Sequence, residues 1–587
     1  MVVALKPGGM TYWITVPSPI VGIDLGTTHS LVARFTGGRV EYLPNDLGET
    51  LTPSAVAYDE GSRKLVTGRI AKDIAATRPE LAALAFKRDM GTDRKYNVGP
   101  HALSAVELSA YVLDALRTDA ERALGETVTR AVVTVPAYFD EGQRAATKQA
   151  AELAGLVVER MINEPTAAAL AYGLAQKNEE CRYLVLDLGG GTFDVSVVEL
   201  FEGMFAVKGV AGESRLGGED FTQALLVLLL TRVGVDAEAA AAVPKAHALA
   251  TKRAELLKRK LSRWPRAEVK VPPFEGLCPE TSLDVTAEEA DAVYRPLLDR
   301  MRGPCREALR GAGLLPENLD AVVVVGGATR LACVRDLARD AFGREPYCDP
   351  EPDYVIAKGA AIQAALIAED DAVKDVVLTD VASHTLGVEV TRTVAGQNLS
   401  GYFSPILHRN TVIPSSRVDH FWPLTAEQRT IRFGVYEGEA RKVADNRLVG
   451  ELEVRGIPLE GDRTVAVRFT YDLNGLLEVE ATVLQTGAVV SAVYQRKEGK
   501  MAGAELERAK ARLSQLKADP SHRPRYRDLL SRANLLWRDL DGTLQETLAR
   551  EIDRFDGAMA HRNPAEIEQV FAELNELCRR LDEGERY

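Results

Sequence analysis

The order of hydrophobic and polar positions divides the chain into three parts. From Ile20 to about residue 371, short apolar runs that end in glycine turns alternate with amphipathic helical patterns, which is typical of a layered α/β domain. From residue 382 to about residue 500, apolar and polar residues alternate with period two, which predicts an antiparallel β-domain. From residue 501 to residue 587, apolar residues fall at helical spacing and predict a small helical bundle.

Shorter signals refine these three parts. Residues 372–381 (AVKDVVLTDV) form an apolar run bracketed by charges, which fits either a buried strand or a docking linker, and the periodicity favours the strand. Two alternating runs within residues 465–483 are joined by Asn474-Gly475, whose tolerance of positive φ predicts a tight hairpin turn. Breaks at Pro520 and at Asn563-Pro564 divide the C-terminal part into three predicted helices.

Composition limits the classes of function. A chain of 587 residues is too long for a single hydrophobic core, so several domains are expected. The net charge of -13 argues against a nucleic-acid scaffold, which needs a basic surface. The 6 cysteines form no CxxC pair and indicate neither a zinc site nor a disulfide framework, which fits a cytoplasmic protein. No apolar run reaches the roughly 18–20 residues of a membrane span, and residues 1–19 predict a loose N-terminal extension.

Two segments of the α/β domain repeat one arrangement, in which an apolar strand leads into an aspartate and a Gly/Thr turn. They read VGIDLGTT at residues 21–28 and LVLDLGGGT at residues 184–192. Glycine lets backbone N–H groups close on an anion and threonine hydroxyls add donors, so such turns can hold phosphates. Two carboxylates beside the same phosphates require a hard cation such as Mg²⁺, usually held through its waters. The residues implied are Asp24, Gly26, Thr27, Thr28, Asp187, Gly189, Gly190, Gly191 and Thr192.

A third glycine turn follows the apolar run at residues 322–325. Gly326 and Gly327 would let the backbone approach a nucleoside, with Arg330 near the base. Taken alone, this segment is explained equally well as an ordinary strand-to-helix turn.

The three glycine segments together resemble the superfamily of actin, sugar kinases and heat-shock ATPases, in which two lobes close on a nucleotide. Four further sequence motifs make the resemblance more specific: VTVPAYF at residues 133–139, NEPTAAA at residues 163–169, DLGGGTFDVS at residues 187–196 and RLGGED at residues 215–220. With them the chain resembles a divergent, bacterial-type member of the seventy-kilodalton heat-shock (DnaK-type) chaperone family. The resemblance implies an actin-like two-lobed ATPase domain over residues 20–371, an interdomain linker over 372–381, a peptide-binding β-sandwich over 382–500 and a helical lid over 501–587.

The resemblance also implies roles for single residues in ATP hydrolysis. Lys87 would reach the γ-phosphate and Glu164 would orient the attacking water, together with Asp187 and Thr192; otherwise Lys87 would be a solvated surface charge and Glu164 a helix-start carboxylate. Asp24 and Asp187 would organise Mg²⁺ through water, and K⁺ is a further possible ion. The clamp on the nucleotide would consist of Gly217, Gly218, Glu255, Lys258, Arg259, Ser262, Gly326, Gly327, Arg330 and Asp353.

In this family the linker docks on the ATPase domain when ATP is bound and releases when ATP is hydrolysed, so ATP should loosen peptide binding and peptide should speed hydrolysis. The residues that match this relay and the J-domain contact are Pro136, Arg144, Arg160, Leu378 and Asp380. A nucleotide exchange factor and unfolded polypeptide are the other implied partners, and a monomer is predicted. Val388 and Ile431 fall at positions of the peptide pocket, although each could equally be plain sandwich core.

Some segments depart from the family pattern. Residues 391–407 (TRTVAGQNLSGYFSPIL) are longer and more polar than the compact glycine loop expected there, and the lid is short. His29, directly after the first phosphate turn, is interpreted as structural. A nucleotide-switched scaffold for one dedicated partner therefore stays open as an alternative, whereas the β-domain argues against a small-molecule kinase.

Overall fold

The computed structural model describes residues 2–5, 12–15, 18–173, 180–201, 204–373, 377–394, 397–413, 415–471, 477–494, 529, 532–533, 536, 543–561 and 564–582. The strands of the front part are β1 (Val2–Leu5), β2 (Tyr12–Thr15), β3 (Ile20–Asp24), β4 (His29–Thr36), β5 (Arg39–Leu43), β6 (Thr52–Pro53), β7 (Ala55–Asp59), β8 (Lys64–Thr67), β9 (Ala82–Leu84), β10 (Lys95–Val98), β11 (His101–Ser104), β12 (Arg130–Val135), β13 (Val157–Asn163), β14 (Cys181–Leu188), β15 (Phe193–Phe201), β16 (Met204–Glu213), β17 (Arg266–Val271), β18 (Thr281–Thr286), β19 (Ala321–Val325) and β20 (Tyr347–Cys348).

The helices of the front part are α1 (Gly68–Thr77), α2 (Ala105–Leu124), α3 (Glu141–Leu153), α4 (Glu164–Gly173), α5 (Gly218–Arg232), α6 (Ala237–Ala241), α7 (Pro244–Leu261), α8 (Ala287–Ala312), α9 (Ala332–Phe342) and α10 (Val355–Ile367). Local sequence sets several of their ends. Ser104 and Glu107 form a capping box at the start of α2, and the helix ends at Gly125 with φ 69°. The same arrangement bounds α8, between the capping box of Thr286 and Glu289 and Gly313.

Two large sheets organise the front part. The first has the order β13-β12-β3-β4-β5, with β6 paired to β4, and the second begins β20-β19-β14-β15-β16. Helix α10 fits closely between them, because a Cβ on Gly22 of β3 would lie 2.2 Å from Ala361 N and a Cβ on Gly359 would lie 1.8 Å from Ala167 O of α4. This mixed α/β architecture agrees with the predicted class, while its likeness to actin stays a prediction.

Residues 372–381 were predicted to contain a buried strand, and this is confirmed. Strand β21 (Val377–Val381) continues the second sheet by parallel pairing with β16, from Met204↔Val377 to Ala206↔Thr379. On its other side β21 pairs antiparallel with β24 (Val412–Ile413) through Asp380↔Ile413. The sheet of the front part therefore ends in a strand from the β-domain.

The β-domain is made of eight further strands, which are β22 (Leu386–Val394), β23 (Gln397–Leu407), β25 (Ser415–Phe421), β26 (Thr430–Glu437), β27 (Arg447–Arg455), β28 (Val465–Tyr471), β29 (Leu477–Val483) and β30 (Ala488–Tyr494). They form two four-stranded sheets with the orders β23-β22-β26-β27 and β25-β28-β29-β30. Alternate residues from both sheets, such as Val388, Phe433, Val467 and Val479, are fully or almost fully buried in one core.

Two sequence predictions about this domain have different outcomes. The hairpin of β28 and β29 is confirmed by register pairs from Val465↔Val483 to Tyr471↔Leu477, although its Asn474-Gly475 turn lies outside the described residues. The loop expected over residues 391–407 is wrong, because most of it is strand: β22 and β23 pair as far as Val394↔Gln397. Polar residues at the exposed end of this hairpin, among them Arg392, Gln397 and Ser400, hide its strand pattern.

The two ends of the chain also differ in part from expectation. The predicted loose N-terminal extension contains an antiparallel pair, β1 with β2, from Val2↔Thr15 to Leu5↔Tyr12. At the other end, helices α11 (Thr543–His561) and α12 (Pro564–Asp582) pack together with Leu529 and Ala533. Helix α12 begins at the predicted break, whereas Pro520 lies outside the described residues. Among the described helices, none is long and apolar enough to cross a membrane.

Candidate nucleotide-binding site

The first two glycine turns lie against each other between the two large sheets. A Cβ added to Gly190 would lie 2.3 Å from Thr28 Cγ2, and one added to Gly191 would lie 2.6 Å from Thr27 Cγ2. Such an approach leaves no room for a side chain. The structure therefore brings the two predicted phosphate turns, which are about 160 residues apart in the sequence, to one place.

The two aspartates of these turns are buried acids. Asp24 accepts a hydrogen bond from Thr134 Oγ1 (3.0 Å), and burial, followed by the charge of Glu164, raises its pKa to about 7. Burial also raises the pKa of Asp187 well above its ordinary value, with Glu164, Asp194 and Asp24 adding to the effect. Both carboxylate oxygens of Asp187 are buried and accept no hydrogen bond from the described residues. Buried carboxylate oxygens without a hydrogen-bond donor fit a Mg²⁺ ion with its waters. The charge of the ion would lower the pKa of Asp187 and keep its carboxylate ionised.

A third acid, Asp194, lies opposite Asp187 in the β14–β15 register and was not assigned a role from the sequence. It accepts a hydrogen bond from Tyr138 N (3.0 Å). Burial, followed by the charge of Glu164, raises the pKa of Asp194 to about 7. The available signal was its position two residues after Thr192, which also places it at the end of the glycine turn.

Lys87 and Glu164 form a buried ion pair with 2.6 Å between Nζ and Oε1 and side chains 4% and 7% exposed. Lys87 lies on a 3-10 turn, Phe86–Asp89, entered through Ala85 with φ 52°. The alternative of a solvated surface lysine is therefore wrong. Glu164 is also the first residue of α4, so the helix-start interpretation is confirmed, while its role toward the attacking water stays a prediction.

Arg88, next to Lys87, links the two halves of the front part and was missed from the sequence. Its Nε donates to Gly191 O (3.1 Å), and its Nη2 donates to Asp220 Oδ2 at 2.5 Å. The same carboxylate oxygen accepts from Gly217 N (2.7 Å). Gly217 in turn is so close to the second phosphate turn that a Cβ would lie 2.5 Å from Gly191 N.

Several residues of the predicted nucleoside clamp form a connected group. Lys258 Nζ donates to Gly218 O (2.7 Å) and lies 2.6 Å from Glu255 Oε2, and Arg259 Nε donates to Glu255 Oε1 (2.8 Å). Burial opposes ionisation of Glu255, but Lys258 and Arg259 together lower its pKa to about 2. Ser262 only closes α7, where its hydroxyl donates to Arg259 O (2.8 Å).

The third glycine turn lies next to the second. Gly326 has φ 85°, and a Cβ there would lie 2.4 Å from Leu188 O. A Cβ on Gly327 would lie 2.6 Å from Asp353 Oδ1, and Arg330 Nη1 donates to Asp353 Oδ2 at 2.5 Å. The three turns thus lie side by side, as expected if they hold one nucleotide.

His29 agrees with its structural interpretation. Its Nε2 lies 3.3 Å from Lys72 Nζ. Burial, followed by the charge of Lys72, lowers the pKa of His29 well below its ordinary value, and burial lowers the pKa of Lys72 to about 8.

Most of the predicted coupling residues meet at the linker strand β21. Arg144 Nη2 donates to Asn163 Oδ1 (2.6 Å), and Asn163 Nδ2 donates to Asp380 Oδ2 (2.8 Å), so the buried carboxylate of the linker is held from α3 and β13. Arg160 faces the same carboxylate electrostatically. Leu378 pairs with Phe205 of β16, whereas Pro136 forms the turn after β12, where it accepts from Phe139 N (3.1 Å).

The two predicted peptide-binding residues belong to the sandwich core. Val388 is fully buried and Ile431 is half-buried against the same core, paired with Val454. This burial agrees with the alternative that both residues are part of the sandwich core. Their contact with peptide stays a prediction.

Comparison with known protein families agrees with this arrangement of glycine turns, buried acids and β-domain. A family model described as Hsp70 protein matches residues 20–98 and 94–583. Proteins of this family bind ATP or ADP with Mg²⁺, hydrolyse ATP and act in general as ATP-dependent chaperones. Because the match spans nearly the whole sequence, the chain belongs to the Hsp70 family.

Proposed function

We propose that this protein binds extended apolar segments of unfolded polypeptides through its β-domain, and that ATP binding and hydrolysis in the cleft control their release and capture. One observation carries the proposal: β21 lies in the second sheet of the front part between β16 and β24, and Ile413 of β24 belongs to the core of the β-domain. A rearrangement of the cleft would therefore act directly on the domain that binds peptide.

Side-chain contacts between the two domains support this route. Arg447 of β27 pairs with Asp140 at the start of α3, and Arg409 pairs with Glu307 of α8. Asn410 Oδ1 accepts from Val210 N (3.2 Å), and a Cβ on Gly311 would lie 2.3 Å from Asn410 Nδ2. The β-domain thus contacts the front part while the linker strand β21 is docked on β16, and the family resemblance associates a docked linker with bound ATP.

The buried ion pair and the buried aspartates support the residue roles in hydrolysis that the family resemblance implies. Mg²⁺ supplies the charge that neutralises the phosphates, and Asp24 and Asp187 would hold it through water. The buried ammonium of Lys87, fixed by Glu164, lies in the electrostatic field of both aspartates and would position the attacking water. Thr27, Thr28 and Thr192 supply hydroxyl donors at the turns.

The remaining assignments of the proposal concern partners and location. A J-domain co-chaperone would act near Arg144, Arg160 and Asp380, and a nucleotide exchange factor would open the cleft. The protein is proposed to work as a cytoplasmic monomer, without binding nucleic acid or membranes, and K⁺ is a possible additional ion of the nucleotide site.

The alternative is a nucleotide-switched scaffold for one dedicated partner. The observation that favours it is the long polar hairpin of β22 and β23, which replaces the compact loop expected at the peptide site. Breadth of binding separates the two functions. Fluorescence anisotropy with a panel of unrelated neutral apolar peptides, in ADP and in ATP, should show micromolar binding of many peptides in ADP and weaker binding in ATP. Binding of none of them, with ATP hydrolysis intact, would contradict the chaperone proposal and favour the scaffold.

A further inference from the structure

Three cations surround one tyrosine on the β-domain. Arg392 Cζ and Arg441 Cζ each lie 5.6 Å from the centroid of the Tyr402 ring, and Lys442 Nζ lies 3.4 Å from it. Tyr402 is buried, whereas both arginines are exposed and Lys442 is half-buried. We call Arg392, Arg441 and Lys442 the basic cluster. Contact with the ring face stabilises each cation, whereas the three like charges repel one another.

No carboxylate of the described residues forms an ion pair with the basic cluster. Glu389, on the same hairpin, accepts a hydrogen bond from Gly401 N (3.0 Å) instead. A concentration of unpaired positive charge is unusual for a chain with a net charge of -13. An anionic ligand would relieve the repulsion, so the cluster favours an acidic partner over a neutral one.

The cluster borders an open sheet edge. Strand β23 is the outer strand of its four-stranded sheet, and Gln397–Ser400 are all exposed. The other end of β23 meets the connection after β26, through the bridge Tyr402↔Lys442 and the hydrogen bond from Phe403 N to Arg441 O (3.1 Å). Because β23 is an edge strand, its exposed end can pair through backbone groups with an added strand.

We infer that this edge binds an extended acidic peptide segment, which adds a strand to β23 and places its carboxylates on Arg392, Arg441 and Lys442. The inference rests on the proposed peptide-binding function and names a class of client for it. Alternate side chains of a strand point to one face, so acidic residues at every second position would all reach the cluster side. A nucleic acid could satisfy the cations, but it has no peptide backbone to pair with the strand edge.

The test uses the full-length protein and a fluorescein-labelled peptide of alternating glutamate and valine, with a glutamine–valine peptide of the same length as the neutral comparison. Arg441→Gln should weaken binding of the acidic peptide about two- to fivefold, and substitution of all three cations by glutamine should weaken it about tenfold or more. The matched control is Arg417→Gln, which removes an exposed cation from β25 in the other sheet and should leave affinity unchanged.

Two further measurements decide between edge pairing and simple attraction of charge. N-methylation of alternate residues removes backbone donors without changing charge, so the methylated acidic peptide should bind at least about tenfold more weakly. Equal binding of the methylated peptide, or equal loss in Arg417→Gln, overturns the inference. If an oligothymidine competes and the methylated peptide still binds, the cluster is a nucleic-acid site instead.

The proposed function is tested separately, by measuring the binding of a neutral apolar peptide to the same variants and its release by ATP. Suppose that the wild-type protein binds this peptide and ATP releases it, but substitutions in the basic cluster leave the affinity for the acidic peptide unchanged. Only the further inference then fails. If the wild-type protein binds neither peptide, the proposed function fails as well.

Discussion

At the scale of single residues, the candidate site depends on a few groups whose environment is far from that of water. Three buried carboxylates lie near one another, those of Asp24, Asp187 and Asp194. Burial, followed by the charge of Glu164, raises the pKa of all three, and the charge of Lys87 lowers it. Phosphoryl transfer is mainly positioning and neutralisation of charge, so such a constellation needs no covalent nucleophile.

The first prediction concerns Lys87. Lys87→Ala removes the ammonium that would position the attacking water, and single-turnover hydrolysis should slow about 10²- to 10³-fold. The change also leaves Glu164 charged and buried, which should cost about 3–5 kcal/mol of stability. The double variant Lys87→Ala/Glu164→Gln should recover stability but not hydrolysis. Lys270→Ala, at an exposed position of β17, is the control, and hydrolysis equal to wild type in Lys87→Ala would contradict the assigned role.

The second prediction concerns the contact between two glycine turns. Gly217→Ala places a Cβ 2.5 Å from Gly191 N, so the backbone of the phosphate turn must shift. Affinity for a fluorescent ATP analogue should fall at least about tenfold, or ~1.4 kcal/mol. Gly303→Ala, where a Cβ meets nothing within 4 Å, should bind as wild type does. Unchanged affinity in Gly217→Ala would place the nucleotide elsewhere.

At the scale of elements, strand β21 is where the nucleotide part and the β-domain meet. Its buried Asp380 accepts from Asn163 Nδ2 (2.8 Å) and from Val381 N (2.8 Å). Among the described residues, the side chain of its neighbour Thr379 makes one long hydrogen bond, from Oγ1 to Phe205 O (3.4 Å). The docking of the strand therefore depends much more on Asp380 than on Thr379.

The third prediction follows from this difference. Asp380→Ala leaves buried donors of Asn163 unpaired, which should cost about 1–3 kcal/mol of docking free energy. Hydrogen exchange at residues 377–381 in the ATP state should accelerate by about 5- to 150-fold. Thr379→Val, of similar shape, should exchange at the wild-type rate. If both variants exchange alike, Asp380 does not hold the strand.

The elements also show how far the sequence could be interpreted. The strand–Asp–glycine segments were predictable because strand, acid and turn are adjacent in the chain, and the β28–β29 hairpin was predictable from its alternation. The β22–β23 hairpin was not, because polar residues such as Gln397, Asn398 and Ser400 interrupt the alternation at its exposed end. The contacts of Lys87 with Glu164 and of Arg88 with Gly191 join residues far apart in the sequence. The family resemblance suggested a shared site for Lys87 and Glu164, whereas nothing in the sequence suggested the contact of Arg88.

At the scale of the whole molecule, contacts join all three predicted parts. Arg447 links β27 to Asp140 of the ATPase part. From the helical part, Asn575 Nδ2 donates to Leu47 O (3.0 Å), and Arg532 lies 3.7 Å from Glu49. The helical part therefore contacts the front part of the chain as well.

The fourth prediction concerns pH and the interface between the two domains. Burial lowers the pKa of His384 to about 4 against the effect of Asp140, with Arg409, Arg144 and Arg447 adding to the lowering. Its ring packs 4.6 Å from the ring of Tyr138. The unfolded chain, with a histidine pKa of about 6.5, binds the proton more readily, so stability is present above pH 6.5 and is lost as pH falls toward 4.

The measurement compares the wild-type protein with His384→Gln by denaturant unfolding at pH 7 and pH 5. The wild-type protein should lose about 2 kcal/mol more than the variant between these two pH values, because the shared titration of the carboxylates cancels in the difference. A difference near zero would show that the imidazole is not held neutral at the interface.

The most direct test of nucleotide control is stopped-flow release of a fluorescent neutral apolar peptide from the wild-type protein after ATP is added. The account predicts that ATP accelerates release by at least about tenfold over ADP, and that Asp380→Ala removes the acceleration while its nucleotide affinity is kept. Release at the same rate with ATP and ADP, from a protein that binds both, would contradict the coupling of the nucleotide cleft to the β-domain.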